Sequence, residues 1–324
     1  MKITTLIKET FILNENKIIS NKTLNISYGV DNNFIRPMGI SMTSIIKYNP
    51  HLNIIFHIFT DFIDPSSKKL LQQFAINNKT TIKIYIINLN IFKDLPHTNH
   101  FSQAMYNRFI MPHILKDTVK NYVYIDADIQ CFNKLDTLLD LKLDTNIAAV
   151  VSDLSYVKEQ QIHFLQLKHN NYFNSGFMYI NINKWITEKI TEKAIQISFD
   201  NLGKLKWQDQ DALNIALDGK CLYLDKKYDY LLNMKHKSYT MPDNVVFVHY
   251  VGRYKPWTEW CLHPLKEKFL TVARNSLWKD VPLTKPTTYK TMKMMGRSCM
   301  LYGKYFNGIY WYLKYSIYKL KSKL

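Results

Sequence analysis

The 324-residue chain lacks the sequence features of several protein classes. Its four cysteines are scattered without a CxxC spacing, so they indicate neither a zinc site nor a disulfide framework and suit a reducing compartment. No apolar run reaches the roughly 18 residues that would span a bilayer, and the N-terminus lacks a signal-peptide core and a small-residue cleavage site. A Gly-rich P-loop and a GxGxxG are also missing, which leaves nucleotide folds of those types unsupported. We therefore expect a cytoplasmic protein.

Acidic residues are missing from the end of the sequence. The net charge is +17, and residues 281–324 carry +9 of it, with nine Lys or Arg and no Asp or Glu. The same segment holds nine aromatic residues: Tyr289, Tyr302, Tyr305, Phe306, Tyr310, Trp311, Tyr312, Tyr315 and Tyr318. Lysine ammonium groups interspersed with aromatic rings suit binding to an anionic membrane surface. We favour a membrane over nucleic acid as the binding partner, because Tyr and Trp prefer the boundary between membrane and water. A solvated helix with a packed aromatic stripe is the alternative.

Strand-like and helix-like segments alternate through the first half of the chain. The predicted strands cover 24–30, 53–60, 81–88 and 121–126, and the predicted helices cover 37–47, 65–78 and 102–117, the last with a kink at Pro112. This order predicts an α/β fold with a mostly parallel, Rossmann-like sheet flanked by helices. The length allows one large domain, or one domain with an appendage.

The second half is less regular, but polar residues still follow its strands. Further strands are predicted at 146–152, 172–182 and 244–250, helices at 184–199 and 209–217, and helical structure again from about Pro264. Tyr28, Asp31 and Asn32 follow the first strand, Asp126 and Asp128 the fourth, and Asp153 the fifth. Because parallel sheets bind ligands at the carboxyl ends of their strands, we expect a site there.

The sequence Asp126-Ala127-Asp128 directly follows the apolar run Val123-Tyr124-Ile125. If the chain turns at Ala127, both carboxylates can converge on one hard divalent cation, which would offset the cost of burying them. His249, delivered by a Val-rich strand, is the natural third ligand, although such a histidine is often structural. The mixed nitrogen and oxygen set suits Mn²⁺ better than Mg²⁺.

Other residues could surround a phosphate or a sugar. Gly252 permits a close backbone approach, and Lys255 supplies a point charge for a diphosphate. Arg108 could either hold Asp126 in an ion pair or contact the phosphate.

Asn174 and Gly176 read as a tight turn that could meet a sugar hydroxyl. Asp209 and Gln210 begin a helix, where Asp209 is either a plain N-cap or a partner of sugar hydroxyls, and Gln210 would face the reacting carbon.

These motifs, in this order, resemble glycosyltransferase family 8, whose members are retaining transferases of the GT-A fold. The matching segments are Tyr28-Gly29-Val30-Asp31-Asn32-Asn33, Ser102-Gln103-Ala104-Met105-Tyr106-Asn107-Arg108, Tyr124-Ile125-Asp126-Ala127-Asp128, Phe173-Asn174-Ser175-Gly176, Asp209-Gln210-Asp211 and the run from His249 to Trp257. Within the family the chain looks most like the lipopolysaccharide core hexosyltransferases, over about residues 22–280, and its tail looks like their basic C-terminal extension.

The resemblance implies a role for each matching residue. Tyr28, Asp31 and Asn32 would hold uridine and ribose, and Arg108 would contact the donor. Asp126, Asp128 and His249 would bind the metal, Mn²⁺ or Mg²⁺, while Gly252 and Lys255 would hold the diphosphate. Asn174, Asp209 and Gln210 would surround the transferred hexose, and Asp153 would lie towards the donor sugar or the acceptor.

The resemblance also implies the reaction and the place where it occurs. UDP-glucose or UDP-galactose would donate its sugar to the lipopolysaccharide core through an α-linkage, at the cytoplasmic face of the inner membrane. Residues 22–262 would form the catalytic domain and residues 263–324 a helical, membrane-associated extension. The alternatives are a family 8 transferase acting on a capsule or protein-linked glycan and, in another class, a nonenzymatic polyanion-binding protein.

Overall fold

The computed structural model describes residues 6–15, 23–95, 103–238 and 240–322. Its strands are β1 (Ile7–Leu13), β2 (Thr23–Gly29), β3 (Asn53–Thr60), β4 (Thr81–Ile87), β5 (Asn121–Ile125), β6 (Ile129–Cys131), β7 (Ala148–Ser152), β8 (Phe173–Asn181), β9 (Cys221–Leu224), β10 (Tyr230–Leu231) and β11 (Phe247–His249). Its α-helices are α1 (Ile35–Tyr48), α2 (Pro65–Asn77), α3 (Asn107–Leu115), α4 (Asp136–Leu139), α5 (Ser155–Leu165), α6 (Ile182–Thr187), α7 (Ile190–Asp200), α8 (Gln208–Ala216), α9 (Lys266–Arg274), α10 (Tyr289–Leu301) and α11 (Tyr305–Lys321).

The described residues form one large sheet of eight strands in the order β1-β4-β3-β2-β5-β8-β7-β9. β2, β3 and β4 run parallel, and β5 joins β2 in the same direction, with helices in the connections. β8 runs antiparallel to both of its neighbours, β5 and β7. This arrangement confirms the predicted α/β class and the mostly parallel sheet, since four of the seven strand pairings are parallel.

Both faces of the sheet are covered by apolar residues, which is why its central strands read as nearly continuous hydrophobic runs. On β5, Val123 and Ile125 join one apolar core, whereas Tyr122 and Tyr124 join the other. The alternation follows from the two-residue side-chain period of a strand. The polar groups therefore collect at the ends of the strands, where the site lies.

A second sheet of three short strands, β10-β11-β6, lies beside the first. Its central strand carries His249 and is only three residues long, whereas the prediction covered residues 244–250. β6 runs antiparallel to β11, with His249 opposite Ile129. This register places the residue before Ile129, which is Asp128, next to His249.

Some predicted elements differ from the structure. β1 was not predicted; it pairs antiparallel with β4 at the edge of the large sheet. The predicted helix over 184–199 is divided into α6 and α7, because the backbone at Lys189 has a positive φ of 52°. The helix predicted from residue 102 begins as a 3-10 turn at Gln103 and continues as α3 with Pro112 inside it, and Ser102 lies outside the described residues.

The C-terminal part is helical, as predicted. Trp278, which follows α9, is buried against α1, where its ring fills the space beside Gly39. α10 and α11 form a hairpin whose contact passes through Gly296 and Gly308, where small residues allow a close approach. Among the helices of the described ranges, none combines the length and the apolar character needed to cross a membrane. The predicted domain boundary at residues 262 and 263 stays a prediction.

Candidate active site

Asp126 and Asp128 flank a turn between β5 and β6. The amide N–H of Ile129 donates to the carbonyl of Asp126 at 3.1 Å, so the chain reverses at Ala127 instead of continuing as a strand. Both carboxylates consequently face His249, which is the convergence that a turn at Ala127 was expected to allow. The Nε2 atom of His249 lies 3.3 Å from Asp128 Oδ1 and 3.9 Å from Asp126 Oδ2. One ligand atom from each of the three residues falls within 4.8 Å of the others.

The imidazole of His249 is held from two further sides. Its Nδ1 atom lies 3.2 Å from Oδ1 of Asp229, a carboxylate that is completely buried. Gly176 on β8 provides the space for the ring, because a Cβ there would lie 2.4 Å from His249 Cε1 and 2.8 Å from Nδ1. The glycine at this position is therefore required by the histidine and needs no unusual backbone conformation.

The charges around His249 favour a compact set of ion pairs. Burial alone would lower the pKa of His249, but Asp128 and Asp229 outweigh it and raise the pKa to about 10. Burial likewise disfavours ionisation of Asp128, yet Lys255 and His249 hold its pKa well below the usual range. The pKa of Asp229 rises to about 6, because burial outweighs the opposing effect of His249.

Lys255 reaches the same carboxylate from the loop after β11. Its ammonium donates to Asp128 Oδ2 and to the carbonyl of Tyr250, and its side chain is 19% exposed. Gly252, in the same loop, has a φ of +80°, a conformation that glycine adopts without strain. The predicted point charge therefore lies beside the candidate metal ligands.

Arg108 on α3 is almost fully buried and links several parts of the site. Its guanidinium donates to Asp126 Oδ1 at 2.9 Å and to the carbonyl of Ser175 at 2.9 Å, and it lies 3.2 Å from Asp209 Oδ2. The first of the two sequence interpretations, an ion pair that orients Asp126, is therefore the contact observed. In addition, the guanidinium lies 4.5 Å from the ring centre of Tyr124.

Asn174, Asp153 and Gln210 form one hydrogen-bonded cluster. Both amide side chains donate to Asp153 Oδ2, Gln210 at 2.9 Å and Asn174 at 3.2 Å. The prediction that Asn174 and Gly176 form a tight turn was wrong, because they lie within β8. The strand has an irregularity there, with Val150 opposite Met178 and Val151 opposite Asn174.

Asp209 lies inside the first turn of α8, not at its N-cap, which is Trp207. The plain capping interpretation of Asp209 was therefore wrong. Burial raises the pKa of Asp209 to about 6, against the opposing effect of the Arg108 guanidinium. Asp209 and Asp126 thus contact the same guanidinium, Asp209 at its Nε atom and Asp126 at its Nη2 atom.

The predicted nucleoside-binding residues at the end of β2 divide into a buried residue, Tyr28, which lies within the strand, and two more accessible residues, Asp31 and Asn32, which follow it. Asp31 caps the 3-10 turn Asn32–Phe34 through the N–H of Asn33 at 2.9 Å, and the side chain of Asn32 accepts from the N–H of Asp64 at 3.4 Å. Tyr28, in contrast, is fully buried, and its hydroxyl is hydrogen-bonded to Ser41 at 2.9 Å. We therefore correct its expected contact with a nucleoside and assign Tyr28 a supporting place in the core.

Several residues of the site were not found by sequence reasoning. Asp229 lies between Tyr228 and Tyr230, and its spacing from other acidic or histidine residues matches no known motif. Ser175 donates its N–H to Gln210 Oε1 at 3.0 Å, and the Tyr172 hydroxyl accepts from Gln210 Nε2 at 2.9 Å. Phe34 is 37% exposed and packs edge-on against Trp257, 6.2 Å between ring centres. The one signal in the sequence was an aromatic residue, Phe34, shortly after the end of a predicted strand.

Comparison with known proteins gives one consistent family. A profile described as Glycosyl transferase family 8 matches residues 25–261, and one described as Glycosyl transferase family 8 C-terminal matches residues 263–319. Lipopolysaccharide 1,3-galactosyltransferase of Salmonella typhimurium is 34% identical over 310 residues, 91% of each chain. Lipopolysaccharide glucosyltransferase WaaO of Escherichia coli K12 is 33% identical over 313 residues, 93% of this chain and 92% of that protein.

Solved structures give the same fold. The galactosyltransferase LgtC, crystallised with donor and acceptor sugar analogues, superposes with a TM-score of 0.69 at 22% identity, covering 78% of this chain and 96% of LgtC. At this identity the likeness concerns the fold, and it confirms the predicted GT-A fold.

Proposed function

The chain belongs to glycosyl transferase family 8, and we propose that it transfers glucose or galactose from a UDP-sugar to the lipopolysaccharide core, forming an α-linkage with retention. The names of its relatives support this acceptor, because they include lipopolysaccharide galactosyl- and glucosyltransferases. The observation that carries the proposal is the convergence of two carboxylates, an imidazole and a lysine at one set of strand ends.

The donor set fits a divalent cation. Asp126, Asp128 and His249 would hold Mn²⁺ or Mg²⁺, and the histidine nitrogen favours Mn²⁺. When bound, the cation would supply Lewis-acid stabilisation of the leaving diphosphate. The rest of the chemistry belongs to the side chains around it.

Lys255 and Arg108 would have different electrostatic roles. Lys255 is partly exposed on a flexible stem, so it can exchange Asp128 for a diphosphate oxygen. Arg108 is buried and already paired with Asp126 and Asp209, so it would mainly fix the geometry of these carboxylates. Asp31, Asn32 and the exposed ring of Phe34 would then face the uridine, since they lie at the end of β2.

Retention would follow from attack on the face of the sugar that carries the leaving group. The acceptor oxygen would form its bond to the anomeric carbon as the bond to the phosphate oxygen breaks, and that phosphate oxygen would take the acceptor proton. Gln210 is a poor nucleophile, and its amide is engaged by Ser175, Tyr172 and Asp153. We therefore expect Gln210 to stabilise the positive charge that develops at the anomeric carbon, and not to attack that carbon. A covalent sugar trapped on Asp209 or Asp153 would contradict this mechanism.

The decisive experiment is a screen of each UDP-hexose against truncated lipopolysaccharide cores, followed by linkage analysis of the product. We expect transfer from UDP-glucose or UDP-galactose to the core, lost in Asp128→Ala and in His249→Ala with the fold retained. Transfer to a capsule or protein-linked glycan only would favour the alternative acceptor. Tight, salt-sensitive nucleic-acid binding that survives Asp128→Ala, without transfer, would instead identify a polyanion-binding protein.

The C-terminal hairpin would hold the enzyme at the acceptor-bearing membrane. α11 presents an exposed apolar stripe at helical spacing: Phe306, Ile309, Tyr310, Leu313, Ile317 and Leu320. Phe306 is 92% exposed, which is unusual for a phenylalanine in a folded chain. With lysines beside the stripe and no acidic residue after residue 280, the charge complements an anionic bilayer, so we place the enzyme at the cytoplasmic face of the inner membrane.

A further inference from the structure

We propose that Asp229 is a positioning residue that holds the His249 imidazole with its Nε2 atom directed at Asp126 and Asp128, and thereby sets the affinity of the metal site. The inference rests on the proposed function through the metal alone. It concerns a residue that no motif of the sequence singled out.

The backbone places Asp229 next to His249. Asp229 follows the 3-10 turn Lys226–Tyr228 and directly precedes β10. β10 pairs in parallel with β11, with Leu231 opposite His249. The carboxylate therefore lies at the start of the strand that pairs with β11, and its backbone is held between the 3-10 turn and the small sheet.

The two ring nitrogens of His249 face different partners. Nδ1 lies 3.2 Å from Asp229 Oδ1, and Nε2 lies 3.3 Å from Asp128 Oδ1. The carboxylate of Asp229 can only accept from the ring, so the hydrogen between them belongs to Nδ1. This leaves the Nε2 lone pair for a cation once its own proton has left.

A purely structural role explains Asp229 poorly. Its side chain is 0% exposed, and in the part of the chain that the structure describes, its Oδ2 atom has no hydrogen-bond partner. A buried, half-satisfied carboxylate is costly compared with an asparagine or a leucine at the same position. A carboxylate that accepts from a metal-binding histidine, in contrast, orients the ring and makes it a better ligand.

The test measures Mn²⁺ binding without any turnover. The metal-free full-length protein is titrated with Mn²⁺, and the EPR signal of the free ion gives the affinity. Pulsed EPR of the bound ion then reports the ¹⁴N coupling of the coordinated imidazole. Asp229→Leu should weaken binding by about 10- to 100-fold and reduce the ¹⁴N coupling, because the anchor of the ring is lost. Asp229→Asn keeps an acceptor oxygen, so it should keep the ¹⁴N coupling and lose less affinity.

Asp225→Asn is the matched control. Asp225 caps the same 3-10 turn through the N–H of Lys227 at 2.8 Å, but it is exposed and does not touch His249. Asparagine caps as well as aspartate, so this variant removes a nearby negative charge while the turn stays capped, and it controls for the loss of charge alone. We expect wild-type affinity and coupling in Asp225→Asn.

The outcomes separate the inference from the proposed function. If the wild type binds Mn²⁺ with ¹⁴N coupling and Asp229→Leu does so equally, the inference about Asp229 is wrong and the metal site stands. If the wild type itself binds no Mn²⁺, the proposed metal site is wrong and the inference falls with it. If Asp229→Leu fails to fold by circular dichroism, Asp229→Asn decides. A measurable loss of Mn²⁺ affinity in that variant supports the inference, because an amide oxygen is a weaker acceptor than a carboxylate, and wild-type affinity overturns it.

Discussion

Replacing Gly176 by alanine should disable the metal site while the rest of the sheet stays folded. An added Cβ would lie 2.4 Å from His249 Cε1, 2.8 Å from its Nδ1 and 2.9 Å from the side-chain oxygen of Asn174, whereas ordinary contacts begin at 3.4 Å. The backbone of His249 cannot retreat, because β11 is paired on both sides. The ring must therefore rotate or shift.

The size of the shift sets the size of the effect. Restoring ordinary contact requires a displacement of about 1 Å, the difference between 3.4 Å and 2.4 Å. Metal ligands tolerate deviations of only about 0.2 Å from their ideal distances, so the histidine would leave the coordination sphere. We expect Mn²⁺ affinity to fall by at least about 10- to 100-fold, as for other losses of ligand orientation. Overpacking should also reduce the free energy of unfolding by about 1–3 kcal/mol.

The assay compares Mn²⁺ titrations of the wild type and Gly176→Ala with urea unfolding of both proteins. Gly203→Ala is the control, because a Cβ at Gly203 meets nothing within 4 Å, although the positive φ of 73° makes alanine unfavourable. That variant should lose stability and keep its Mn²⁺ affinity. Wild-type Mn²⁺ affinity in Gly176→Ala would refute the reasoning, since the ring would then have another way to reach the carboxylates.

Three further predictions concern pH, packing and the membrane. Mn²⁺ affinity should rise by about tenfold per pH unit through neutrality, because the ion must displace a proton from His249. Asp128 and Asp229 raise the pKa of that histidine to about 10 against the effect of burial. A flat profile in pH-dependent calorimetry would contradict this. Gly39→Ala should lower stability by about 1–3 kcal/mol in urea unfolding, since its Cβ would lie 2.3 Å from the Trp278 ring; unchanged stability would show that the ring can move away. The double variant Leu313→Gln/Ile317→Gln should sediment less with anionic vesicles but hydrolyse UDP-sugar normally. The control Ser316→Gln, exposed on the same helix beside the stripe, should behave as wild type. Equal sedimentation of both variants would refute the role of the stripe in membrane binding.

The sequence predicted the candidate ligands because each follows a strong apolar run. Asp126 and Asp128 follow β5, and His249 ends a run rich in valine. The apolar, β-branched composition of these runs predicts strands and therefore locates all three residues at strand ends. Their meeting was not predictable from local pattern. It depends on the register between β6 and β11, two strands of three residues each, which are too short to show periodicity.

Local propensity failed where tertiary packing decided the structure. Asn174, Ser175 and Gly176 are typical turn residues, yet they lie in β8 because the strands on both sides pair with it. Asp229 could not be found at all, because a single acid between tyrosines carries no periodic or spacing signal. Its position follows from the two-residue strand β10, which exists only through pairing with β11.

The balance of charge at the site indicates that the ion and the donor should bind together. Four carboxylates and three cationic groups meet in the structure: Asp126, Asp128, Asp209 and Asp229, and Arg108, His249 and Lys255. A divalent cation alone would add positive charge beside Lys255 and Arg108, and a diphosphate alone would add negative charge near Asp128. When both are bound, the opposite charges of the ion and the diphosphate offset each other, and Lys255 can move from Asp128 to the diphosphate. Each should therefore raise the affinity for the other by the same factor, so UDP should tighten Mn²⁺ binding. That coupling should shrink in Lys255→Met, whereas independent binding in the wild type would contradict the argument.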